Sequence, residues 1–191
     1  SGCTDQITRS ILGVFKTHWH NGINVSFLKG DEETTDDDYS GFKIIYLPFP
    51  VWLSKKTALK LKNFVQNGGT LVSEASLCQY GDRFFSETTV PGLGLDEVFG
   101  VKRKSIISRD SFSFKFANRP LATAYYREEL VPYAGAKVIG RFEGGAPAAT
   151  SNRYGKGRAI YFGTNPFMEY AASEDAYLVK IVRELSEQSG I

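Results

Sequence analysis

Ile44-Ile-Tyr-Leu-Pro48, then Ser54 to Gln66, then Gly68-Gly-Thr-Leu-Val-Ser-Glu-Ala75 is the run whose reading decides the fold. Four consecutive apolar residues, Ile44 to Leu47, predict a strand covered on both faces. Pro48 and Pro50 cannot donate to a sheet ladder, so the strand ends there. Ser54 is a good N-cap, and Ala58, Leu61 and Val65 recur at helical spacing beside Leu59 and Phe64. Gly68 supplies the positive φ that closes a helix, and Leu71 and Val72 begin the next strand. Strand, helix and strand in this order make a right-handed βαβ unit of a parallel sheet.

Upstream of that unit, Ile7, Ile11, Val14, Phe15 and His18 or Trp19 fall at helical spacing, and Asn21-Gly22 reads as the C-cap. Ile23 to Leu28 then reads as a strand. A doubly wound sheet normally opens on a strand. This pattern opens on a helix, so an obvious first strand is lacking, which would leave an open hydrogen-bonding slot. Downstream, Ser76 to Gly100 is a long Gly- and Pro-rich loop with a short helix at Asp96 to Phe99. Ser111 to Phe116 alternates Phe112, Phe114 and Phe116 with polar residues, the pattern of a half-buried antiparallel strand whose rings pack in the core. Lys137 to Phe142, Pro147 to Tyr154 and Arg158 to Gly163 form an antiparallel meander, joined by Glu143-Gly-Gly and Tyr154-Gly-Lys-Gly turns. Gly155-Lys156-Gly157 lacks the upstream Gly and the following Ser or Thr of a phosphate loop. Ser173 is read as the cap of a final helix that buries Tyr177, Leu178, Ile181, Val182 and Leu185.

The whole, residues 1–191, is therefore expected to be a single α/β domain with a mainly parallel sheet and a C-terminal antiparallel meander. Its 191 residues suffice to bury roughly 70% of the unfolded surface. Lys and Arg number 23 against 21 acidic residues, a net charge of +2 that points to no nucleic-acid partner. Lys102-Arg103-Lys104 reads as a solvated strand end. Asp31-Glu32-Glu33 and Asp36-Asp37-Asp38 read as a solvated loop, without the alternating ligands and central Gly of an EF-hand. Cys3 and Cys78 form neither a disulfide framework nor a zinc spacing, so no metal and no cofactor are expected. No run approaches the length of a membrane helix and no signal peptide is visible, which leaves the compartment open.

The residues raise two kinds of chemistry. Cys78 follows the strand ending at Ala75, near where a strand-to-helix turn would place a nucleophile. A thiolate needs a base, and His18 and His20, both near the end of the first helix, are the only histidines. Glu74, Asp82, Glu87, Glu143 and Glu169 could supply a glycosidase pair only if two of them converged at roughly 5 Å or somewhat more. Trp52, Tyr80 and Arg83 stand apart: they lie on loops at the carboxyl ends of successive strands, where α/β sheets present their working residues. Residues of these three types are enriched in interface hot spots.

Gln6-Ile-Thr-Arg-Ser-Ile-Leu-Gly13, Tyr39-Ser-Gly-Phe-Lys-Ile-Ile-Tyr-Leu-Pro48, Phe64-Val-Gln-Asn-Gly-Gly-Thr-Leu-Val-Ser-Glu74 and Pro91-Gly-Leu-Gly-Leu-Asp-Glu-Val-Phe-Gly100 carry a resemblance. With Gly22-Ile-Asn-Val-Ser-Phe27 and Tyr154-Gly-Lys-Gly-Arg-Ala-Ile-Tyr-Phe-Gly163, they resemble the trimerisation (middle) domain of glycoside hydrolase family 42 β-galactosidases. The resemblance implies a flavodoxin-like, class I glutamine amidotransferase-like three-layer sandwich. It implies a non-catalytic role in packing a homotrimer, within a longer multidomain glycosidase whose catalytic glutamates lie in an upstream TIM barrel. It also implies that galactoside is met only through that parent enzyme, and that Trp52, Tyr80 and Arg83 face a neighbouring subunit or the galactoside pocket. Amidotransferase-like enzymes carry a late His, yet Gly163 to Ser173 holds Asn165, Pro166 and Glu169 without one. The alternatives are a stand-alone cysteine hydrolase of that type and a carbohydrate-binding module suggested by the aromatic content.

Overall fold

Strand β1 (Ile44–Leu47), helix α3 (Lys55–Gln66) and strand β2 (Thr70–Ser73) form the βαβ unit, with the two strands parallel and Ile44 in register with Thr70. A computed structural model describes residues 3–28, 37–81 and 84–191. Ser54 caps α3 by accepting from the Thr57 amide, and the helix buries Ala58, Leu61, Phe64 and Val65. Each such apolar side chain taken from water contributes about 1.5–3 kcal/mol. Before this unit come α1 (Cys3–Trp19) and the short α2 (Asp37–Ser40). After it come α4 (Leu95–Phe99), β3 (Val101–Phe116), β4 (Arg119–Pro132), β5 (Lys137–Arg141), β6 (Pro147–Tyr154), β7 (Gly157–Phe162), α5 (Pro166–Ser173) and α6 (Ala176–Gln188).

These strands form one seven-stranded sheet in the order β1-β2-β7-β6-β5-β3-β4. Only the β1–β2 and β2–β7 pairings are parallel; β7–β6, β6–β5, β5–β3 and β3–β4 are antiparallel. The expectation of a mainly parallel sheet is thus corrected: the sheet is mixed and mostly antiparallel. The reason is that the meander does not stand apart but inserts β7 directly beside β2. The parallel core is therefore three strands wide.

Period-2 alternation sorts the central strands onto two faces. Val72 and Ile160 join a core with Phe114, Phe162, Phe167, Tyr170, Leu178 and Val182, beneath α1, α5 and α6. Leu71, Ala159 and Tyr161 join the opposite core with Leu61, Val65, Leu95 and Phe99, beneath α3 and α4. Helices on both faces of β2 and β7 leave Thr70 to Ser73 and Ala159 to Phe162 buried throughout.

Three further differences separate the sequence reading from the fold. Ile23 to Leu28 forms no strand among the described residues, and Phe27 is exposed. Ser111 to Phe116 is the end of a 16-residue β3 whose partner β4 carries no clean alternation and went unread. Ser173 is the last residue of α5, not a cap; Glu174 turns left-handed at φ 49°, and Asp175 caps α6 by accepting from the Tyr177 amide.

Gly13 lets α1 lie against the first turn of α5, since a Cβ there would collide with the backbone carbonyl of Phe167. A Gly13→Ala substitution should force the two helices apart and cost about 1–3 kcal/mol, despite Ala's better helix propensity. Urea unfolding of the variant checks this; an unchanged midpoint would mean that α1 slides without penalty.

Candidate functional site

At the carboxyl ends of β1 and β2 the two chains stay zipped after the regular strands finish. The Glu74 amide donates to Leu47 O, the Cys78 amide to Pro50 O at 2.8 Å and the Tyr80 amide to Val51 O at 3.0 Å. This brings Trp52 and Tyr80 into a parallel bridge, so two of the three residues singled out from sequence are neighbours. The third, Arg83, lies outside the described residues, as does Asp82. Beyond Tyr80 the chain doubles back, with Tyr80 bridged to Ser86 and the Gly81 amide donating to Phe85 O. Phe84 then stacks on Trp52, with ring centroids 5.5 Å apart and planes 20° apart.

The result is a surface cluster of four aromatic side chains: Trp52 is 40% exposed, Tyr80 36%, Phe84 71% and Phe85 72%. Contiguous exposed apolar surface of this kind marks interaction sites rather than ordinary solvated surface. Phe84 and Phe85 were missed from sequence. The signal was present, since two adjacent aromatics in a polar, Gly-flanked loop have no periodic partner to bury them.

The loops beneath this cluster are held by two buried carboxylates. Glu74, at the end of β2, is fully enclosed: its Oε1 accepts from the amides of Phe167 (2.8 Å) and Met168 (3.4 Å), and its Oε2 from the Phe49 amide (3.1 Å) and the Ser10 hydroxyl. It thereby joins α1, the β1 loop and the first turn of α5. Burial pushes its carboxyl up to about 7, against the pull of the Ser10 hydroxyl and those three amides. Glu128, on β4, accepts from the Ser76 amide (3.1 Å), the Tyr161 hydroxyl (2.7 Å) and Arg103 Nη1 (3.1 Å). Its carboxyl is also raised by burial, with Tyr161 and Arg103 opposing. Arg103 donates as well to Gln79 Oε1 at 2.9 Å, and Gln79 Nε2 donates to the Tyr80 hydroxyl at 3.2 Å. A continuous polar chain thus runs from the core of the sheet to the aromatic surface.

Backbone strain is concentrated here too. Phe49, Ser76, Cys78 and Phe84 all take φ between 44° and 67°. Left-handed non-glycine residues cost free energy and persist where surrounding contacts over-determine them.

The other chemical candidates are placed differently. The Cys78 thiol is buried, and desolvation pushes it far above the ordinary thiol range, with Glu87 adding to the rise. His18 Nδ1 contacts Val14 O and His20 Nδ1 contacts the Tyr170 hydroxyl, so neither is engaged with Cys78. Glu169 accepts from the Ser111 hydroxyl at the surface, away from Glu74's enclosure. No helix among the described residues is long and apolar enough to cross a membrane.

A family model described as the β-galactosidase trimerisation domain matches residues 6–191, and the chain belongs to that family. Among curated relatives it is 27% identical over 164 residues to the β-galactosidase bgaB of Geobacillus kaustophilus, covering 82% of this chain and 23% of that one. It is 21% identical over 195 residues to the β-galactosidase LacZ of Heyndrickxia coagulans, covering 96% of this chain and 27% of the other. The solved structure of Gan42B, a GH42 β-galactosidase from G. stearothermophilus, shares the fold with a TM-score of 0.77 at 24% identity, over 96% of this chain and 27% of that one. The chain therefore spans roughly a quarter of the length of these proteins.

Proposed function

We propose that this domain is a non-catalytic assembly module of a longer β-galactosidase-type glycoside hydrolase, holding protomers in a homotrimer beside a TIM-barrel domain of the same polypeptide. The observation that carries the reading is the exposed aromatic surface of Trp52, Tyr80, Phe84 and Phe85, with Phe84 stacked on Trp52, in a chain whose family is named for trimerisation. Large aromatics held in place bury area with little loss of side-chain freedom, which is what an interface hot spot requires. Arg83, next to this surface in sequence, belongs to the same proposal. Buried Cys78, with His18 and His20 both engaged elsewhere, favours this reading over a cysteine hydrolase. The finer fold assignment, flavodoxin-like with amidotransferase-like layering, is supported by the β1–β2–β7 parallel core between two helical layers.

In the full-length enzyme, Trp52→Ala combined with Phe84→Ala should weaken trimer assembly by about 30-fold or more, the value of a hot spot worth ~2 kcal/mol. Light scattering over a dilution series, with galactoside kinetics run in parallel, checks it. A raised KM at unchanged mass would put the aromatics at the galactoside pocket instead. Unchanged mass and unchanged kinetics would remove this surface from the proposal.

A further inference from the structure

The sequence contains two Asn-Gly pairs, Asn21-Gly22 and Asn67-Gly68, each just past the carboxyl end of a helix. In such a pair the backbone nitrogen of glycine can attack the asparagine side chain. Glycine has no Cβ to shield that nitrogen, and its backbone reaches the conformations the attack requires. The structure treats the two pairs differently.

Asn21 is held at both ends of its carboxamide. Its Nδ2 donates to Thr17 O and to Val179 O, each at 2.9 Å, and its Oδ1 accepts from Arg183 Nε at 3.0 Å. All three bonds must break before its Cγ can turn toward the Gly22 nitrogen. Asn67 is exposed, and its carboxamide makes no hydrogen bond among the described residues. The Gly68 nitrogen is held only through its donation to Val65 O at 3.0 Å, the closing bond of α3, and helix ends fray.

The turn that Asn67 opens has no slack. Gly68 takes φ 118°, the Gly69 amide donates to Phe64 O at 3.0 Å and the Thr70 amide to Lys43 O at 2.9 Å. A Cβ on Gly69 would strike the Phe64 ring, and one on Gly157 would strike the Gly69 carbonyl. That carbonyl also accepts from the Arg158 amide at 3.2 Å. Together these contacts seat the start of β2 between β1 and β7.

We propose that Asn67 is a site of spontaneous deamidation, and that the fold protects Asn21 from the same chemistry. The Gly68 nitrogen attacks Asn67 Cγ: the N–Cγ bond forms, the Cγ–Nδ2 bond breaks, and ammonia leaves with the proton given up by the Gly68 amide. Water then opens the resulting succinimide at either carbonyl. One opening leaves aspartate; the other leaves isoaspartate, whose main chain runs through the side-chain carbon. The net change consumes water and releases ammonia, with no oxidant or cofactor. Isoaspartate lengthens the α3–β2 turn by a main-chain carbon. Both products add a negative charge at the carboxyl end of α3, where the helix dipole opposes it. Conversion therefore loosens β2 in the parallel core. The proposal is independent of the assembly role of the aromatic surface.

The test ages the folded 191-residue chain at physiological temperature and mildly alkaline pH, with a parallel sample in urea. Peptide mapping follows Asn67 and Asn21. In the folded chain Asn67 should convert on the order of tenfold or more faster than Asn21, because three side-chain hydrogen bonds guard only the latter. In urea the two should convert at similar rates. The aged chain should unfold at lower urea than fresh protein, while Asn67→Gln, whose longer side chain closes a ring far more slowly, should keep its midpoint through the same ageing. Equal rates in the folded chain, or conversion of Asn67 only in urea, would overturn the proposal. Full conversion at an unchanged midpoint would overturn its structural consequence.

Discussion

Replacing Glu74 with Ala should lower folding stability by about 3–5 kcal/mol, because three buried backbone amides lose their acceptor at once. For a domain of ordinary stability, about 5–15 kcal/mol in total, this is a large fraction. The loss should also loosen the β1 loop and the start of α5 together, since Phe49 and Phe167 are both held by this side chain. Glu74→Gln keeps the shape and removes the titration, so the pair of variants separates connection from charge. The sign of the pH effect follows from the raised carboxyl. Its value in the folded domain is about 7 against an ordinary 4.5, so between those limits the native state holds a proton that the unfolded chain has released. The contribution of Glu74 is therefore complete below about pH 4.5 and is lost as the pH rises through 7. The melting temperature of the parent chain, relative to Glu74→Gln, should fall between about pH 5 and pH 8. A difference that stays flat across that range would mean that Glu74 titrates normally.

Glu128→Leu should cost about 3–5 kcal/mol, because it strands the Arg103 guanidinium beside a sealed core. The Tyr161 hydroxyl and Ser76 amide lose a partner in the same step. Adding Arg103→Met should restore part of the loss, since replacing both members of a buried ion pair by apolar groups is often tolerated. Urea midpoints of the two single variants and the double variant measure this coupling. If the double variant is as unstable as the sum of the singles, Arg103 and Glu128 act separately. Arg103 also holds Gln79, so the Arg103 change should speed amide exchange around Tyr80 even where overall stability recovers.

Local signals were legible where a short segment contains its own cause. Ser54 caps α3 as read, the meander strands fall within a residue or two of their expected bounds, and the short helix at Leu95–Phe99 is where Asp96 to Phe99 was read. Trp52 and Tyr80 were picked from loop position and residue type, and they are neighbours. What was illegible depends on partners far away in sequence. Strand β4 hides its alternation because an enclosed position carries a charge: Glu128 is buried, satisfied by Ser76, Tyr161 and Arg103 from elsewhere in the chain. The same holds for Phe84, whose stacking on Trp52 needs a reversal at Gly81 to Ser86 that no periodicity announces.

By itself the sequence determined the βαβ unit, helices α1, α4 and α6 and the meander, and the motifs by which the chain resembles its family. Those features rest on capping, turn chemistry and spacing over a few residues, which act before any long-range contact forms. Only the tertiary structure decided the strand order, and with it the mixed sheet, because β7 pairs with β2 across more than eighty intervening residues. It alone decided that Ile23 to Leu28 forms no strand among the described residues. An apolar extended segment joins a sheet only when a neighbour offers free backbone within reach, and here the edge of β1 lies across an open groove.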